Sequence, residues 1–176
     1  MKLRQQLKLF GLFLLLTLTA CASQVKAGPT PPTIHYGEDV CEFCGMIISD
    51  ERYAAGYITQ DGQQHIFDDI GDMFQAHLAK QDEVIAFFVN DYERKSWLRA
   101  ETAAYVRSND LTTPMLSGLA ACATTEEAKA LAETVQGEVL TFEELLVYYQ
   151  AKPAAAAERG SQHQHRQHQH SVLEGD

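Results

Sequence analysis

YAAGYITQDGQQHIFDD, residues 53–69, is the stretch that sets the architecture. Its residues alternate in polarity on both sides of Asp61-Gly62, a dipeptide that favours a tight turn, so an antiparallel hairpin is expected. Ile70, Met73, Phe74, His77 and Leu78 follow at the spacing of one helix face, with Asp68 or Asp69 as the N-cap. EVIAFFVND, 83–91, is a continuous apolar run suited to a central strand.

Beyond it the outline repeats. SWLRAETAAYVRS, 96–108, offers two short strand-like pieces around Trp97 and Tyr105. Thr124 and Glu127 have capping-box spacing, and Ala128, Leu131, Ala132 and Val135 then line one helix face until Gly137 ends it. EVLTF gives a further strand, and Thr141 with Glu144 opens a last helix over EELLVYYQ. The fold class expected is α+β, built as two small ββαβ-type halves over 39–92 and 93–150. Between their strands, Pro114, Ser117 and Gly118 make 112–118 a loop, which leaves Met115 without a helix or strand to pack from.

The ends read differently. Residues 1–20 carry Lys2, Arg4 and Lys8 ahead of LFGLFLLLTLTA, an apolar run of signal-sequence length. LTAC resembles a bacterial lipobox, with cleavage before Cys21 and lipid on its thiol; the alternative is an ordinary secretory signal with an incidental cysteine. Ala22 after that cysteine favours the outer membrane, on its periplasmic face. Residues 21–38 are small and proline-rich, as in a tether. Residues 151–176 should be disordered, and His163, His165, His168 and His170 there suit loose capture of Cu(II), Ni(II) or Zn(II), a plain solvated tail, or a cloning remnant. Net charge is −10, and removing the three basic residues of the leader takes it to about −13. So acidic a body argues against nucleic acid and against charge-driven binding to anionic lipid.

Chemistry concentrates in DVCEFCGMIIS, 39–49. A redox pair needs a helix after the first thiol to lower its pKa, whereas Gly45-Met46-Ile47-Ile48 leans to strand and no thioredoxin-type βαβ pattern surrounds it. Structural zinc needs four donors, and beyond this pair Cys122 stands alone with His35, His65 and His77 scattered. Cu(I) is soft and accepts two or three ligands, for which Cys41, Cys44 and either Met46 or Met115 suffice. These three readings stay open on the residues alone.

CEFCGMIISDERYAAGYITQDGQQHIFDDIGDMF, then VNDYERKSWLRAETAAYVRSNDLTTPMLSGLAAC and GEVLTFEEL, resemble the NosL family in the same order over nearly all of 41–145. The resemblance implies two ββαβ-type halves likened to organomercurial lyase. It also implies no enzyme activity but one Cu(I) per chain, handed to nitrous-oxide reductase beside a copper-linked ABC transporter complex. The family's CxxCGM motif falls on Cys41, Cys44, Gly45 and Met46, and its PM motif on Pro114 and Met115. Where the family reads PMGSGLAAF, this chain has Leu116 and Cys122, and Leu116 is expected to resist a positive φ. His35, His65, Met73 and Cys122 are the further candidate ligands, although helix-face position favours core packing for Met73 and its strand favours a surface role for His65. The competing functions are a periplasmic CxxC thiol-disulfide oxidoreductase and a copper-buffering lipoprotein with no dedicated client.

Overall fold

A computed structural model describes residues 28–151. β1 (Ala55–Thr59) and β2 (Gln64–Phe67) form the hairpin, with Gly62 at φ +85° in the connection. α1 (Ile70–Lys80), β3 (Val84–Asn90) and β4 (Trp97–Arg99) follow. The four strands make one antiparallel sheet in the order β2-β1-β3-β4. After a 3-10 turn at Ala100–Thr102 come β5 (Ala104–Arg107), β6 (Leu119–Cys122), α2 (Thr125–Val135), β7 (Glu138–Leu140) and a last helix, α3, over 142–151. Their sheet has the order β6-β5-β7, again antiparallel. The ββαβ order thus occurs twice.

β1 departs from simple alternation, being buried at every position. It lies between two strands and is covered on both faces. Ala55 and Tyr57 enter the main core with Phe87 and Val89 of β3, while Ile58 joins Ala86, Phe88 and Trp97 on the other side. The same two-sided cover explains the unbroken apolar run of β3. Residues 32–37, inside the segment expected as a tether, lie against this sheet. Any side chain at Gly56 would collide with Pro32 Cγ, Thr33 N–H donates to Gln64 Oε1 (3.1 Å), and Asn90 Nδ2 donates to the Tyr36 hydroxyl (2.8 Å).

α1 is the centre of the molecule. Ile70, Met73, Phe74 and Ala76 pack in one core with β1 and β3 on one side and Tyr105, Leu119, Ala121, Phe142, Leu145 and Tyr149 on the other. α2 covers the outer face of the second sheet through Ala128 and Ala132, against Ala104, Val106, Ala120 and Cys122. Asp91 joins the sheets: Tyr92 N–H donates to Ala121 O (2.8 Å), and the Asp91 carboxylate accepts from Ala123 N (3.0 Å). Both helices end on a left-handed glutamine, Gln81 and Gln136. Gly137 is therefore not the capping residue; it is glycine because a Cβ there would strike Val106 Cγ1 and Arg107 O, at 2.7 and 2.9 Å. Among the described residues no helix is long and apolar enough to cross a membrane.

Candidate metal centre

The CxxC segment is a turn, not the start of a helix. Residues 42–44 form it, Val40 and Ile47 bridge its two ends, and Cys41 N–H donates to Met46 O (2.8 Å). Gly45 sits at φ +76° and donates to Cys41 O (3.0 Å), which explains the glycine after the second thiol. Glu42 fixes the turn to the hairpin: its N–H donates to Ile66 O (3.1 Å), and its carboxylate meets His65 Nδ1 (2.7 Å) and Lys80 Nζ (3.2 Å).

This turn lies over the first turn of α1. Cys41 Sγ donates to Asp72 Oδ2 (3.5 Å) and Cys44 Sγ to Asp68 Oδ1 (3.4 Å). One donor atom from each of Cys41, Cys44, Asp68 and Asp72 lies within 4.8 Å of every other. Cys41, Asp68 and Asp72 are each 1% exposed, and Asp68 Oδ2 is buried without a hydrogen-bond partner. Burial pushes both thiols up despite backbone N–H groups that favour their thiolates, those of Cys44, Asp68 and Phe43 at Cys41 and that of Met46 at Cys44. Burial likewise raises the Asp72 carboxyl to about 6, helped by Asp69 and Asp68. The cluster is four acids crowded together with no cation among them. An orphaned carboxylate oxygen, one buried thiol and one half-buried thiol form a donor set that a metal ion satisfies, because its charge relieves the repulsion and replaces the protons.

Asp68 and Asp69, expected as alternative caps, divide the work. Asp69 is the N-cap, accepting from Gly71 N at 2.7 Å, while Asp68 faces Cys44. Asp72 escaped the sequence reading because a carboxylate in a helix's first turn ordinarily answers the helix dipole from solvent. The i, i+4 spacing of Asp68 and Asp72, directly after the β1–β2 hairpin that follows the CxxC segment, is the available signal.

The 112–118 loop meets the same helix turn. Leu116 N–H closes a turn on Thr113 O (3.0 Å) with Pro114 and Met115 at its middle, and Asp69 Oδ2 accepts from both Thr113 Oγ1 (2.6 Å) and Met115 N (3.0 Å). Leu116 adopts φ +56°, contrary to the expectation that it would resist one; its side chain is 79% exposed and meets no crowding that would forbid it. Met46 and Met115 are half exposed and more than a third exposed, at 50% and 39%.

The other candidates lie outside the four-donor group. Met73 is fully buried in the main core. His65 packs on Tyr57 with the rings tilted and pairs with Glu42, and His35 Nδ1 is 3.2 Å from Asp39 Oδ2 on the surface. Cys122 is buried on β6 and lines a separate cavity of about 450 Å³ with Asp91, Arg94, Glu127 and Leu131; its thiol is pushed up to about 11, first by burial and then by Asp91 and Glu127. Cys21, His163, His165, His168 and His170 lie outside the described residues.

Two thiols and two carboxylates are the number and kind of donors for tetrahedral Zn²⁺, whereas thiolates with a nearby thioether suit Cu(I). The chain is similar to known proteins in three comparisons. The NosL family model matches residues 32–148. A Stutzerimonas stutzeri protein named copper-binding lipoprotein NosL is 29% identical over 170 residues, covering 89% of this chain and 88% of its own. The crystal structure of the copper chaperone NosL from Shewanella denitrificans superposes with a TM-score of 0.57 at 19% identity, over 66% of this chain and 96% of that one, a likeness of fold.

Proposed function

The chain belongs to the NosL family, and from that premise we propose that it is a metallochaperone, not an enzyme, which carries one Cu(I) on Cys41 and Cys44 and passes it on by ligand exchange. The observation that carries the reading is the cluster itself: two thiols of the CxxC turn gathered with two buried carboxylates at the start of α1, with an unpaired oxygen and no cation. Met115 or Met46 is the third donor, and neither is sealed from solvent. A two- or three-coordinate Cu(I) keeps a position open for an incoming donor, so transfer needs no free ion.

The surroundings suit handover to a protein. Among the described residues, six of the nine large exposed apolar side chains (Val40, Phe43, Met46, Ile47, Met115 and Leu116) sit on the two loops that meet the first turn of α1. The recipient in this reading is apo nitrous-oxide reductase, with a copper-linked ABC transporter complex as the other partner. Attachment is through lipid on Cys21, at the periplasmic face of the envelope and in the outer membrane. A thiol-disulfide oxidoreductase would need an accessible, low-pKa thiol, whereas Cys41 is buried and its thiol pushed up.

The test is an anaerobic Cu(I) competition titration of the reduced mature protein, with 152–176 removed, against a chromophoric chelator. One tight equivalent is expected, lost in Cys41→Ser and in Cys44→Ser. Unchanged affinity in both variants would overturn the assignment. The four-donor geometry also favours a second reading, Zn²⁺ on Cys41, Cys44, Asp68 and Asp72. Asp68→Asn should then abolish zinc binding, whereas a copper site on the two sulfurs keeps most of its affinity.

A further inference from the structure

Asp69 does more than a helix cap requires. Capping needs one oxygen, and Oδ1 provides it to Gly71 N. Oδ2 reaches into the other half of the molecule, where it accepts from Thr113 Oγ1 and Met115 N, residues 44 and 46 positions further along the chain. The carboxylate is fully buried, and Thr113 is buried with it. Thr113 Oγ1 in turn accepts from Gly118 N (3.3 Å), so one hydroxyl ties both ends of the loop.

The loop is seated on the same helix turn from a second direction. A Cβ at Gly71 would meet Ser117 Cβ at 2.6 Å, so the loop rests directly on the backbone there. Gly118, at φ +68°, leaves no room for a Cβ against Ser108 O, and Ser108 N–H donates to Gly118 O (2.9 Å). The residue before Asp69 receives the Cys44 thiol and the residue three after it receives the Cys41 thiol. Asp68, Asp69 and Asp72, all at one helix start, thus hold the two thiols and the methionine loop in register.

We infer that Asp69 is the positioning residue for Met115, and that through it the second half of the molecule supplies the thioether donor to copper held by the first half. The inference rests on the proposed Cu(I) function. It identifies Met115 rather than Met46 as the third ligand, because Met115 alone has its backbone fixed by a buried carboxylate to the helix turn that accepts the two thiols. Asn cannot replace Asp69: its single carbonyl serves either Gly71 N or the loop, and its amide then points a donor at a donor.

The experiment is a double-mutant cycle on the full chain. Wild type, Met115→Ala, Asp69→Asn and the double variant are titrated anaerobically with Cu(I) against a chromophoric chelator, and the copper coordination is read by X-ray absorption. Met115→Ala and Asp69→Asn should each weaken binding about tenfold and drop the copper from three sulfurs to two. The double variant should be no weaker than either single one. Thr124→Ala, which removes the cap of α2, should lower Tm and leave Cu(I) affinity and coordination unchanged. If Asp69→Asn does not fold, Thr113→Val takes its place and should show the same non-additivity with Met115→Ala at smaller amplitude. Additive losses, or three sulfurs retained in Asp69→Asn, overturn the inference while leaving the cysteine site standing. Copper affinity unchanged in Cys41→Ser and Cys44→Ser overturns the functional reading and the inference with it.

Discussion

α1 and α2 are both eleven residues long, both open on a side-chain N-cap and both close on a left-handed glutamine. They differ in what surrounds the opening turn. At α2, Thr124 and Glu127 satisfy one another in a reciprocal capping box at the surface. At α1, Asp68, Asp69 and Asp72 are buried, and their carboxylates are spent on two loops from elsewhere in the chain. Capping chemistry is local, whereas burial is decided by the rest of the fold. Polar residues that merely start a helix cleanly in water become a site when the fold closes over them.

The largest break in that comparison comes from Asp69→Ala. It strips three hydrogen bonds from a buried carboxylate's partners, and urea unfolding should register a loss of at least about 3 kcal/mol. Asp72→Asn works in the opposite direction on the metal-free protein. The Asp72 carboxyl ordinarily titrates near 3.8 and is raised to about 6 in the fold, chiefly by burial. The folded state therefore binds that proton more tightly than the unfolded chain, and stability falls as pH rises from about 4 to about 6. Asp72→Asn should remove this fall. Denaturation at pH 4 should find little gain over wild type, and at pH 7 a gain of about 2 to 3 kcal/mol.

Thr124→Ala, the matching change at α2, should cost about 1 kcal/mol and show no comparable pH dependence between 4 and 7. Leu116→Gly is the smallest. It relieves a left-handed leucine and adds unfolded-chain entropy, so Tm should move by no more than the equivalent of about 0.5 kcal/mol.

Much of this frame is legible in the residues. Asp61-Gly62, the helix face from Ile70 and the capping boxes at Thr124 and Thr141 each act through neighbours in sequence, and each is in place. Cys41 and Cys44 announce themselves by spacing. Two-sided burial of β1 is not legible, since it depends on residues 32–37 crossing Gly56. Asp72 is missed for a related reason: a polar residue is legible as buried only through the groups that meet it, and those are 28 and 31 positions away in the chain. Leu116 shows the converse error, because a residue's reluctance toward positive φ is a modest energy that a loop pinned at Asp69 and Gly118 overrides.

The crossing of residues 32–37 also has a mechanical side. Tension on the chain ahead of residue 28 enters the domain along this segment, where the Thr33–Gln64 and Tyr36–Asn90 bonds carry it into the first sheet. Gly37 N–H bonded to Ile48 O (2.8 Å) and the Val40–Ile47 bridge come next along the load path, and they are the closures of the thiol turn. A pull from the N-terminal side therefore loads the thiol turn together with the first sheet.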